Sequence, residues 1–291
     1  MLRIISLIVL LFVGVFSWAQ SLSTPFEKSQ GTETATYAEA IDFYKRLTTA
    51  YPERTRLLTY GTTDAGKPVH LLLVSGSGVF DPAKIQEQKL PFLLINNAIH
   101  PGEPCGVDAS MLVIRRFLSN PAYASILQNM VIGIIPVYNI GGALNRNSTS
   151  RTNQVGPNSY GFRGNARNYD LNRDFLKMDT ENAQTFAHIF HTWTPDAFID
   201  THTTNGADYQ YEITIIPTRT EKIGPATRQI MDEKLMPMLR GLRGGSMVGP
   251  YVYMAGATPE AGIAGFMDLP RYSSGYTGLF QTLGMITEAH M

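Results

Sequence analysis

Short apolar runs alternate with stretches of helical periodicity along most of the chain. Tyr37 to Leu47 carries apolar residues at helical spacing, and Pro52 closes the segment. Thr55 to Tyr60 and Val69 to Val74 then read as two strands flanking Gly61-Thr62-Thr63-Asp64-Ala65-Gly66, the pattern of a hairpin. Phe92 to Asn96 predicts a buried strand, 104–118 a helix, and Val131 to Val137 a second buried strand. Residues 138–170 are polar and rich in Asn, Gly and Arg; so long a loop is usually functional or disordered. Thr180 to Trp193 reads as a helix and Ala197 to Asp200 as a short central strand, with further strands at Glu212 to Ile216 and Val248 to Met254. A helix within Thr218 to Leu242 carries Met231, Met236 and Met238, which read as core packing. No internal repeat is visible. A hairpin followed by alternating helices and strands predicts one α/β domain, with a central mixed, mostly parallel sheet, helices on both faces and right-handed crossovers.

The N-terminal residues stand apart from this pattern. Arg3, the apolar run Ile4 to Phe16 and the small residues of Ser17-Trp18-Ala19 read as a secretory signal over residues 1–19, cleaved after Ala19. The run is 13 residues, short of the roughly 18 that a spanning helix needs, so no stable membrane anchor is expected. Residues 20–35 read as a mobile polar leader and 36–291 as the folded domain of a secreted or periplasmic protein.

Composition removes several function classes. Lys plus Arg and Asp plus Glu both number 24, and no basic block occurs, so neither nucleic acid nor an acidic membrane surface is an expected partner. The single cysteine, Cys105, excludes internal disulfides. It reads as a small buried residue in preference to a metal ligand.

Candidate chemistry lies at the strand ends. His100-Pro101-Gly102-Glu103 follows the strand that ends at Asn96, and His202 follows Asp200-Thr201 at the end of another. Two strand ends in one sheet can bring these side chains to its carboxyl edge, where open α/β sheets bind ligands. Two His and one carboxylate form the ligand set of an open catalytic zinc site, whose metal acidifies water and polarises a carbonyl. A hydrogen-bonded core histidine is the alternative for His202. Between these motifs, Arg163, Arg167 and Arg173 fall within eleven residues. They suit either an anionic substrate group or structural pairing with Asp170, Asp174 and Asp179. His188 and His191 sit at i, i+3 on a predicted helix with no third ligand evident, and read as helix surface.

His100-Pro101-Gly102-Glu103, Asp170-Leu171-Asn172-Arg173 and Asp200-Thr201-His202, in that order, resemble the three motifs of the zinc metallocarboxypeptidases of the carboxypeptidase A type. The resemblance spans about residues 36 to 291. It implies one zinc per chain held by His100, Glu103 and His202, with Asp170 orienting a zinc-bound His. It implies that Asn172 and Arg173 grip the free C-terminal carboxylate of a peptide substrate. Arg163 is similar to the family's oxyanion-stabilising Arg, with Arg167 as competitor, and Glu288 at the end of Leu283 to Glu288 matches the general base. Tyr272 or Tyr276 matches the mobile substrate-binding tyrosine, or packs. Thr203-Thr204 departs from the Ser-Tyr pair of digestive members. The chain ends three residues after Glu288, where the family usually continues into a covering helix, so a fragment of a longer protein is one expectation. Two further readings stand beside this one: a zinc-dependent N-acyl amino acid deacylase of the aspartoacylase and succinylglutamate desuccinylase type, and an inactive binding protein on the same scaffold.

Overall fold

The structure, a computed structural model, describes residues 22–242 and 248–291. The signal segment expected over 1–19 lies outside the described residues. Among those described, no helix is long and apolar enough to cross a membrane.

An eight-stranded sheet forms the centre, in the order β1-β2-β4-β3-β5-β10-β6-β7. Its strands are β1 (Thr55–Tyr60), β2 (Val69–Ser75), β3 (Phe92–Asn96), β4 (Val131–Ile135), β5 (Ala197–Thr203), β6 (Ile213–Pro217), β7 (Val248–Pro250) and β10 (Leu283–Ala289). The expected hairpin is the antiparallel pair β1/β2. Strands β4, β3, β5 and β10 run parallel, so their carboxyl ends share one edge. A separate antiparallel pair, β8 (Val252–Met254) and β9 (Ile263–Gly265), stands beside the sheet.

Alternation along the strands divides the core between the two faces. Leu72, Val74, Ile132 and Ile134 meet helices α1 (Tyr37–Ala50) and α2 (Cys105–Ser119) on one face. Leu71, Leu73, Phe92, Leu94 and Phe198 meet α3 (Glu181–Trp193) and Tyr276 of α4 (Ser273–Gly278) on the other. A smaller cluster of Ile215, Met231, Met236 and Met285 closes the β6 end. Fully burying one such aliphatic or aromatic side chain contributes about 1.5–3 kcal/mol, so the α3 face, with Phe186, Phe190 and Trp193, is a rigid backing for the edge.

Three expectations are corrected by local chemistry. The helix expected over Thr218–Leu242 begins only at Pro225, because proline suits a first helical turn and disfavours helix in the residue before it. It passes through a π turn at Met231–Leu235, which ends two residues before Pro237, and ends at Arg240. Met238 is exposed there, whereas Met231 and Met236 are buried. The single strand expected over Val248–Met254 is two, β7 and β8, because Pro250 has no N–H with which to continue a ladder.

The described part of the expected mobile leader is packed against the domain. Thr24 and Glu27 form a capping box on the short helix Pro25–Lys28, Arg115 donates to Glu27 at 2.8 Å, and Leu22, Thr34 and Ala35 are buried. The Thr34 hydroxyl and the Ala35 N–H both donate to the buried Asp108 of α2. Burial pushes the Asp108 carboxyl up from 3.8 to about 6, against the opposing pull of those hydrogen bonds. A raised carboxyl binds its proton more tightly in the folded state, so this group's contribution to stability declines as pH rises from about 4 to 6. The shift corresponds to roughly 3 kcal/mol. Asp108→Asn is expected to be stabilising near pH 7 by up to that amount, and neutral near pH 4. Urea melts of both proteins at the two pH values check this; equal destabilisation at both would contradict it.

Candidate metal centre and substrate cleft

The parallel strand ends place the predicted ligands together. After β3 the backbone turns sharply, with Ala98 in the left-handed region at φ 56°, a conformation that costs a non-glycine residue about 1–3 kcal/mol and clusters at functional sites. The Glu103 N–H donates to the His100 carbonyl at 2.8 Å and closes the turn. Gly102 suits the tight packing there, since a Cβ would lie 2.9 Å from the Arg151 side chain and 3.1 Å from the Gly161 carbonyl. His202 lies within β5, directly opposite Glu288 of β10 in the parallel register.

His100, Glu103 and His202 are all buried, and one ligand atom from each lies within 4.8 Å of the others. Both rings turn Nδ1 toward Glu103, at 3.3 Å for His100 and 3.0 Å for His202. Both turn Nε2 toward an outer carboxylate: His100 to Asp170 at 3.0 Å, His202 to Asp200 at 3.1 Å. Such carboxylate partners fix the tautomer and orientation of metal-binding histidines. Burial disfavours the charged forms of Glu103 and His202, but the attraction of their partners outweighs it. Opposing burial, His100 and His202 hold Glu103 well below the usual carboxylate range, while Asp200 and Glu103 raise His202 well above the usual histidine range. A buried triad of two imidazoles and one carboxylate, with outer carboxylates behind both rings, fits a divalent zinc ion. Cys105 takes no part; its thiol sits 3.2 Å from the Thr203 hydroxyl, and burial raises its pKa.

The cationic groups separate by role. Arg163 forks onto Asp170 at 3.0 and 2.8 Å and lies 3.7 Å from Glu103, at the centre. Asn139 holds the turn and this arginine in register: its side-chain amide donates to the carbonyls of Ile99 and Arg163 at 3.1 and 3.0 Å. Arg167 points away, 3.6 Å from Asp64 and stacked on Tyr169, which removes it as the competitor of Arg163 at the centre. Arg173 lines the cleft with its guanidinium 4.7 Å above the Tyr272 ring. Asn172 lines it too, its side-chain oxygen accepting from the Ser273 N–H at 3.3 Å.

Of the two candidate tyrosines, Tyr272 lines the cleft. Tyr276 does not: it is buried on α4 among Phe175, Phe186 and Phe190, and its hydroxyl meets His191 at 2.8 Å. His188 and His191 are exposed helix residues, as read from the sequence, and belong to no metal-capable group among the described residues. The Glu288 carboxyl is half-buried beside the triad. Its surroundings push it up to about 7, burial first and the Glu103 charge next, against the opposing pull of His202, His100 and Arg151.

Four features of the cleft escaped the sequence reading. The role of Asp200 as the partner of His202 is one; its spacing of two from His202 on a strand, hence the same face, was the available signal. Arg151 is another: it donates to Glu103 at 2.6 Å and to the Thr203 and Thr204 carbonyls at 3.2 and 2.8 Å, tying the segment after His202 to the turn that carries Glu103. The third is an aromatic wall of Tyr251, Tyr253 and Phe266, and the fourth an aliphatic floor of Ile216 and Ile286. The enclosed space is about 100 Å³.

Known proteins resemble this chain in family and in fold. Residues 40–223 match the family model described as zinc carboxypeptidase. No curated protein sequence matches significantly. Among solved structures, the chain is similar to a metallo-carboxypeptidase from Burkholderia cenocepacia at 16% identity and TM-score 0.61, over 85% of this chain and 58% of that one. It is also similar to carboxypeptidase A from Helicoverpa armigera at 13% identity and TM-score 0.64, over 89% and 65%. A third is a metallo-carboxypeptidase from Pseudomonas aeruginosa in complex with (2-guanidinoethylmercapto)succinic acid, at 18% identity and TM-score 0.57, over 86% and 59%. The chain therefore spans 58–65% of the length of these proteins. At these identities the likeness establishes the α/β carboxypeptidase-like fold.

Proposed function

The chain belongs to the zinc carboxypeptidase family, and on that footing we propose that it is a zinc metallocarboxypeptidase that hydrolyses the C-terminal bond of peptides. The observation that carries this reading is the convergence of His100, Glu103 and His202 beside Glu288, in a cleft that also holds Arg163, Asn172 and Arg173. In this proposal residues 36–291 form the catalytic domain, and the segment 1–19 directs the protein to a secreted or periplasmic location.

His100 and His202 would hold zinc through Nδ1 and Glu103 through its carboxylate. Zinc, when bound, supplies Lewis acidity that polarises a carbonyl and makes water acidic near neutral pH. Arg173, with Asn172, takes the free carboxylate of the terminal residue and sets the scissile carbonyl near the ligand triad. Glu288 accepts a proton from the attacking water and passes it to the leaving amine. Its half-buried position suits both halves of that task, because a carboxyl raised toward neutrality can take and return a proton. Arg163, held by Asp170 on one side, directs its remaining N–H donors at the negative charge that develops on the carbonyl oxygen. Asp170 and Asp200 keep the two imidazoles oriented. Tyr272 lies under the Arg173 guanidinium and borders the bound terminal residue.

A digest of mixed peptides by the zinc-loaded protein, read by mass spectrometry, tests the reading. The expected result is stepwise loss of single C-terminal residues from free-acid peptides and none from their amides. Cleavage confined to N-acyl amino acids would assign the deacylase activity instead. Internal cuts, or an unchanged peptide pool with zinc bound, would overturn the carboxypeptidase.

A further inference from the structure

Glu103 is the carboxylate of the ligand triad, and each of its oxygens has a protein donor. Arg151 Nη1 donates to Oε1 at 2.6 Å, and the Thr203 N–H donates to Oε2 at 3.0 Å. A carboxylate offers about four lone-pair sites, so these two bonds leave room for a cation on the same group. The guanidinium does more than pair a charge. Its Nη2 donates to the carbonyls of Thr203 and Thr204 at 3.2 and 2.8 Å, and its Nε donates to the Gln154 side chain at 2.8 Å. Gln154 in turn donates to the Gly102 carbonyl at 3.0 Å. Nearly every donor of Arg151 is thus committed to the turn that carries Glu103 and to the strand end that carries His202.

This arginine is not placed to meet substrate. Its side chain is 12% exposed against 44% for Arg163, and it does not line the cleft, as Arg163 and Arg173 do. The loop around it is held on two sides. Asn147 and Tyr160 exchange backbone hydrogen bonds at 2.8 and 2.9 Å, and the Tyr160 hydroxyl donates to the Arg151 carbonyl at 3.3 Å. The packed segment before α1 braces the same loop: the Asn158 N–H donates to the Thr32 carbonyl at 2.9 Å and its side chain to Glu33 at 2.8 Å. A guanidinium so fixed removes rotamer freedom from the Glu103 side chain. A ligand ordered before the ion arrives has less entropy to lose when it binds. Lysine could not do the same, because one ammonium cannot present a planar fork to the carboxylate and both carbonyls at once.

We propose that Arg151 is a positioning residue of the metal centre: by gripping Glu103 and the Thr203 and Thr204 carbonyls together, it fixes the carboxylate ligand relative to His202. This rests on the zinc reading of the triad above and assigns that site a further residue. The test compares wild type, Arg151→Met and Arg151→Lys in three measurements. These are zinc affinity by competition with a chromophoric chelator, the thermal midpoint, and the visible spectrum with cobalt(II) in place of zinc. Arg151→Met should bind zinc at least about tenfold more weakly, as loss of an outer partner of a metal ligand does, and should shift the cobalt bands. Arg151→Lys keeps a positively charged stem without the fork and should fall between the other two proteins. A lowered thermal midpoint in Arg151→Met, with the zinc affinity and cobalt spectrum of wild type, would make Arg151 a loop staple and overturn the inference. Where Arg151→Met does not fold, Arg151→Lys decides, since wild-type affinity and spectrum there would overturn it equally. A wild type that binds no stoichiometric zinc would overturn the zinc reading itself, and the inference with it.

Discussion

Glu288→Gln is expected to lower kcat on a free-acid peptide by about a thousandfold, within the range that a positioned acid–base group contributes. The substitution keeps size and polarity while removing the ability to accept a proton. Glu288 is not among the three converging ligands, so zinc content should be unchanged. KM should move little, because the carboxylate anchor Arg173 is intact. Folding should not suffer either: the carboxyl is raised to about 7 mainly by burial, and a neutral amide does not meet that penalty. The comparison requires kcat, KM and metal content on the same preparations. Turnover equal to wild type with zinc bound would remove Glu288 from the mechanism.

Arg173→Met should act on binding. The Arg173 side chain is exposed in the free cleft and would be covered by a bound terminal residue; truncating one partner of such a charge-assisted pair costs about 2–5 kcal/mol, which corresponds to a loss in kcat/KM of at least about 30-fold. The loss should fall on free-acid peptides and spare amidated ones, so the ratio between the two should collapse. Arg173→Lys should recover only part of it. A single ammonium cannot fork onto a carboxylate, and it loses the planar stacking that Arg173 makes on Tyr272 at 4.7 Å. An equal loss on both substrate classes would mean that Arg173 supports the cleft without reading the terminal carboxylate.

The ligand triad was legible because its signals are local and backbone-defined. A buried apolar run must stop where the sheet stops, and residues just beyond a parallel strand gather at one edge. His100, Glu103 and His202 obey that rule, and the Glu288–His202 pairing follows from two strand ends in parallel register. Arg151 carried no such signal, since its position depends on the path of a long polar loop and on contacts across 48 residues to Glu103. The two tyrosines illustrate the same divide: only the helical turn at Ser273–Gly278 decides that Tyr272 faces the cleft and Tyr276 the core. The apolar cleft lining was hidden because its members come from β6, β8, β10 and the segments between them, each with an unremarkable pattern alone. The packed segment before α1 was foreshadowed by two capping boxes, Thr24 with Glu27 and Thr36 with Glu39, which outweigh its polar composition.

The most direct test is zinc stoichiometry on wild type, His100→Ala and His202→Ala, each confirmed folded and dialysed against buffered zinc. One zinc per chain in the wild type, with at least a hundredfold weaker retention in both variants, is the predicted result. A folded wild type without stoichiometric zinc, or a His202→Ala protein that retains it, would contradict a catalytic centre at the ends of β3 and β5.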